Sequence, residues 1–192
     1  MEYSISYVRY EAQKRLNLIR SYRLHSCCSH LANEFEYMSN FIFSSQKNMK
    51  IIEYTNAVYY GGVYNGVENG YGILIYENGE FYMGQFRNSK RNGECFNICT
   101  NGDIYKGIYE NNSLNGAGCM YSRNINVETD GIFTNGRLTK VNTASDSFTY
   151  EFQGKKKMIY EKNTGSYKEE ASGCGGIIFL AIIVFIIFKC CS

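Results

Sequence analysis

Residues 59–109 run YYGGVYNGVENGYGILIYENGEFYMGQFRNSKRNGECFNICTNGDIYKGIY, and their spacing decides the fold. Tyr59, Tyr82 and Tyr105 lie 23 residues apart, and two places after each stands a glycine: Gly61, Gly84 and Gly107. Two further on come Val63, Phe86 and Tyr109. The same shift relates Gly70, Gly93 and Gly116, Gly79 and Gly102, and, less strictly, Gly72 and Gly118, where Cys95 takes the middle place. Gly66 is answered by Ser89 and Asn112, which are ordinary turn residues, so the turns should survive the exchange. A fourth, slipped copy follows one residue late, with Gly131, Phe133 and Gly136 in the places of Gly107, Tyr109 and Asn112.

Each period holds two strand-length runs separated by turn chemistry. Residues 59–64 and 70–76 are expected as strands flanking a turn around Asn65–Asn69, with Asn78-Gly79 leading into a third strand, Glu80–Arg87. Asn-Gly between alternating apolar residues predicts a type I′ hairpin, because both of its central positions need positive φ. Asn101-Gly102 repeats that signal. Glycines inside strands weaken them unless a ring or a neighbouring backbone lies close, and their regular placement predicts such an approach. The expected fold is mainly β, an elongated array of antiparallel hairpins in which each unit covers the next.

The series Tyr59-x-Gly61-x-Val63-x-x-Gly66-x-x-x-Gly70-x-Gly72, with Tyr82-Met-Gly-Gln-Phe86 and Tyr105-Lys-Gly-Ile-Tyr109 after it, resembles the MORN repeat family, the membrane occupation and recognition nexus. The likeness covers about residues 59–138, less than half of the chain. It implies elongated, twisted hairpin arrays that serve as scaffolds, dimerisation surfaces and sometimes membrane-proximal modules. One departure is plain: the chain has no Trp, and Val63, Phe86, Tyr109 and Phe133 stand where the family often carries one.

Outside the array, the 192 residues divide into an N-terminal helical or capping segment (1–53), the array (54–138), a terminal hairpin or cap with a linker (139–170) and a tail (171–189). Val8, Ala12, Leu16 and Ile19 fall at helical spacing among arginines and lysines and predict an amphipathic helix. It is expected to pack on the end of the array, the alternative being a basic helix lying on a membrane. Leu31–Phe43 could continue that helix or begin an extended stretch, and Tyr37-x-Ser39-x-Phe41-x-x-Ser44 could be an eroded repeat. Ser147–Gln153 and Lys156–Glu161 suggest one more hairpin.

Residues 171–188 carry no charge, and Ile177–Phe188 is apolar on every side. A helix of this length spans about 27 Å, close to a thin bilayer core. The tail is therefore expected to be a C-terminal transmembrane anchor, with the N-terminal part facing the cytosol, since the first residues carry charge where a signal peptide needs an apolar stretch. Cys190 and Cys191 at its boundary are candidates for lipidation.

Chemistry is sparse. The only histidines, His25 and His30, bracket Cys27 and Cys28, but adjacent cysteines rarely both reach one tetrahedral ion. No catalytic residues, cofactor or metal are assigned. The glycine strings lead into strands rather than helices and do not make phosphate loops. With Lys plus Arg at 20 and Asp plus Glu at 18, nothing in the overall balance favours a nucleic-acid partner. Across residues 54–138 six basic and eight acidic side chains leave a net −2, which weakens phospholipid capture by the repeats, although Arg87, Lys90 and Arg91 form a local patch. A non-enzymatic, membrane-held scaffold for a protein partner or a second copy is the leading expectation. A tether between two membranes and a regulatory subunit of a separate enzyme are the alternatives. Tyr60, Tyr64, Tyr71, Tyr76 and Tyr121 are the candidate binding surface, with packing inside the array expected to claim part of the set.

Overall fold

The computed structural model describes residues 3–22, 24, 28–45 and 48–141, and the backbone of 147–152, 155–161 and 166–169. Two helices, α1 (Ile5–Ser21) and α2 (Leu31–Ser44), precede nine strands: β1 (Met49–Glu53), β2 (Ala57–Tyr64), β3 (Val67–Tyr76), β4 (Phe81–Arg87), β5 (Lys90–Ile98), β6 (Ile104–Glu110), β7 (Ser113–Ser122), β8 (Val127–Thr134) and β9 (Arg137–Val141). They form one antiparallel meander in sequence order. A separate antiparallel sheet holds β10 (Ser147–Phe152), β11 (Lys155–Glu161) and β12 (Ser166–Glu169). β1 joins the large sheet ahead of residue 54 and β9 runs past residue 138.

The turns alternate in type along the meander. Asn65-Gly66, Asn88-Ser89, Asn111-Asn112 and Asn135-Gly136 are two-residue loops with positive φ at both positions, the signature of type I′. Ser89 and Asn112 thus keep the turn that Gly66 makes. The Asn-Gly pairs at 78–79 and 101–102 correct the sequence expectation, because only the glycine of each pair has positive φ. Tyr76 N–H donates to Glu80 O and Gly79 N–H to Tyr76 O, both at 2.9 Å, and Cys99, Asp103 and Gly102 repeat the pattern. This is a longer loop closed by a left-handed glycine, and the Asn78 side chain caps it by accepting from Glu80 N–H. Because the first turn is so tight, β3 starts at Val67 rather than at residue 70. Gly70, Gly93 and Gly116 then sit inside strands at bulges, where φ values of 91, 110 and 86° demand glycine.

The helices do not cap an end of the array; they lie across one face of the sheet. The reason is in the strands, which carry apolar residues on both faces. Tyr60, Ile73, Met83 and Phe96 form one cross-strand row, and Val58, Ile75, Phe81, Ile98 and Ile104 form the next. Against these rows α1 buries Val8, Ala12, Leu16 and Ile19, and α2 buries Leu31, Phe35, Met38 and Ile42. α1 runs along the turn ends, with Arg15 donating to Gly79 O at 2.9 Å and the Tyr22 hydroxyl to Gly102 O at 3.1 Å. α2 crosses back from β7 to β2, Phe35 touching Phe81 and Phe96 and Phe43 stacking on Tyr60. The stretch holding Tyr37, Ser39 and Phe41 is therefore helix, not an eroded repeat. Among the described residues no helix is long and apolar enough to cross a membrane, and residues 171–192, with the proposed span and Cys190 and Cys191, lie outside them.

Candidate interaction surfaces

The repeat positions converge on the face opposite the helices. Gly61, Gly72, Gly84, Cys95, Gly107, Gly118 and Gly131 are successive register partners, so the glycines make one ladder running across seven strands. The Tyr59 ring lies flat against two rungs: a Cβ on Gly72 would come within 2.5 Å of it. Its hydroxyl donates to Gly62 O at 2.9 Å, and Tyr82 makes the same bond to Gln85 O at 2.9 Å. Phe86 meets both Tyr59 and Tyr82 edge-on at 5.0 Å, and Tyr82 meets Tyr109 at 5.5 Å. Burial pushes both the Tyr59 and Tyr82 phenols well above the usual tyrosine range. Phe133 and Leu114 extend this packing, while Tyr105 and Val63 stay half-buried at its margin. The framework aromatics and the ladder glycines are thus a core that the sheet makes with itself, while Gly66, Gly70, Gly93, Gly116 and Gly136 serve its turns and bulges.

A charge of which the composition gave no sign packs against that core. Arg91 places its guanidinium 5.1 Å from the Tyr82 ring, donates to the Tyr76 hydroxyl at 2.9 Å and pairs with Glu80 at 3.5 Å. The anticipated basic patch of Arg87, Lys90 and Arg91 consequently does not form. Arg87 and Lys90 are exposed on the other face, while Arg91 is half-buried on this one.

The candidate tyrosines do not share a surface. Tyr60 is buried beneath Phe43 and Tyr121 beside Tyr22, both under the helical layer. Tyr71 is half-buried, edge-on to Phe41 and bonded to the Gln85 amide, and Tyr76 is held by Arg91. Tyr64 alone of the five is open, at 66% exposure. Their alternation along the strands, read without the helices, could not show which face would be covered.

Between α2 and the sheet lies a buried polar group that sequence reasoning missed. Lys106 is ion-paired with Glu34, and His30 Nε2 lies 3.6 Å from the same carboxylate. Desolvation, then Lys106, brings His30 down to about 3, and desolvation raises Glu34. Cys28 N–H donates to Glu128 at 3.2 Å. Of the weighed metal ligands, Cys28 and His30 are buried here and His25 and Cys27 lie outside the described residues; among those described, no three candidate ligands come together.

The family model for the MORN repeat matches residues 59–81 and 82–104. Two MORN repeats are therefore present, each one 23-residue period, and the strand register continues beyond them through β9. Such repeats suggest a protein-interaction or membrane-association module. No curated protein matches this sequence.

Proposed function

We propose that the chain is a non-enzymatic scaffold held at a membrane by residues 171–189, offering its helix-and-sheet body to a protein partner on the cytosolic side. The two MORN repeats carry the interaction half of this reading. The uncharged run Ile177–Phe188 carries the anchoring half, because a segment apolar all round has no polar stripe to face water. A protein partner ranks above lipid capture by the repeats, since the array is net acidic and Arg91 is engaged within it. The tether alternative is weakened at α1, whose apolar stripe is already covered by the sheet.

The test is to express the tagged chain with and without residues 171–192, fractionate the cells and identify co-purifying proteins. The full chain is expected in the membrane fraction and the shortened one outside it, with the same partner recovered by both. A full chain that stays soluble removes the anchor; a body that enriches no protein in either form removes the scaffold.

A further inference from the structure

The helices leave part of their own face of the sheet uncovered. β4 and β6 have seven residues each, and the extra residues of β3 and β7 go into their bulges. α2 reaches Tyr71 through Phe41, and the two cross-strand rows towards the type I′ turns stay open at Ile108, Ala117 and Ile132 and at Arg87 and Lys90. They make a shelf beside α2 whose rows lie about 7 Å apart, two residues of strand. Its floor is the cross-strand row that starts at Tyr71, under Phe41 of α2, and continues through Gln85 and Glu94 to Ile108. Ala117 follows in the bulge opposite Ile108, and its register partner is Ile132. Ile108 is 48% and Ile132 37% exposed, and Ala117 between them is open. Exposed Arg87, Lys90 and Lys140 lie along the shelf on the same face, against Glu110 at the rim and half-buried Glu94 in the floor.

We infer that this shelf is the docking site for an acidic amphipathic helix of a partner protein, which would lie alongside α2 as the third helix of the layer. The inference rests on the scaffold reading and specifies where its partner binds. The open rows beside α2 give one helix a seat, Ile108, Ala117 and Ile132 fit a short apolar stripe on it, and the basic side chains fit acidic flanks. A flat bilayer fits poorly, because α2 stands about 10 Å above the floor and would hold a membrane away from Ile108 and Ile132.

The test uses the full chain in detergent and a labelled peptide of about five helical turns, ~18 residues, with leucines along one face and glutamates on its flanks. A twin carrying lysines in place of the glutamates is the control. Fluorescence anisotropy should show the acidic peptide binding and the basic twin not. Ile132→Glu should weaken binding by at least about tenfold. Because that change could disturb the fold, the surface pair Arg87→Glu with Lys140→Glu is tested beside it and should reverse the preference between peptides. Equal binding of the twins, no binding of either, or binding indifferent to both variants overturns the site. So does loss of binding to phosphatidylserine vesicles in the same variants with no effect on the peptide, which would give the shelf to a bilayer. Undiminished recovery of a cellular partner by the variants would overturn the shelf while leaving the scaffold intact.

Discussion

Gly72 and Gly136 are both framework glycines, but they are glycines for different reasons, and substitution separates them. At Gly72 the backbone is unremarkable and the space is filled by the Tyr59 ring, so Gly72→Ala forces a buried aromatic out of place and should cost about 2–3 kcal/mol. At Gly136 nothing lies within 4 Å of an added Cβ, but φ is +77°, so Gly136→Ala should cost about 1–2 kcal/mol from backbone strain alone. Urea midpoints measure both. In a Tyr59→Ala background the Gly72 penalty should shrink and the Gly136 penalty should not; equal penalties in both backgrounds would detach the ring from the ladder. His30 makes a second residue-level prediction. Its folded value of about 3 lies below the unfolded 6.5, so between those values the unfolded chain holds the extra proton. Its contribution is full above pH 6.5 and falls as the pH is lowered, by about 1 kcal/mol per pH unit. Glu34, raised by desolvation, works the other way: the folded state holds its proton above the unfolded value, so its effect favours the lower pH. His30→Gln should therefore flatten the loss of stability between pH 7 and 5 relative to wild type. A variant that keeps the full slope would take His30 out of the account.

The 23-residue register made the hairpins legible down to single turns: Ser89 and Asn112 hold left-handed backbone as their alignment with Gly66 suggests. The type of the Asn-Gly turns was not legible, because the dipeptide is the same in both kinds of loop and the number of residues between paired strands decides. α1 was legible from Val8, Ala12, Leu16 and Ile19, but its docking place was not. Periodicity gives a helix its apolar face without saying what that face meets, and an apolar row on the back of the strands looks the same whether a helix or a partner covers it. Tyr60 and Tyr121 entered the candidate surface for that reason. The consequence is measurable on α2. Phe35 is fully buried against Phe81 and Phe96, so Phe35→Ala should cost about 3–5 kcal/mol. Tyr10, 64% exposed on α1, should tolerate Ala within about 0.5 kcal/mol. A small penalty at Phe35 would mean that the helical layer contributes little to the core.

In the whole molecule, the sheet has two apolar faces and closes them by different means. The repeat face closes on itself, with Tyr59, Phe86, Tyr82 and Tyr109 interlocked above the glycine ladder. The other face cannot, because its rows of Ile, Phe and Met have no glycine rungs for rings to lie on, and α1 and α2 supply the cover. The repeats and the N-terminal helices therefore share one core, which an optional cap would not. Removing residues 1–45 should not simply fray β1. It would open Ile73, Met83, Phe96 and their neighbours to water, and the shortened chain should be recovered insoluble, or soluble only as an aggregate that binds an apolar dye. In the intact chain the central β4 and β5 amides should be among the slowest to exchange, because sheet neighbours flank both strands and the helical layer covers them. A soluble, monomeric, dye-negative fragment with native-like β4 and β5 protection would show that the array stands without its helices. The shelf beside α2 would then lose its wall along with its reason to accept a third helix.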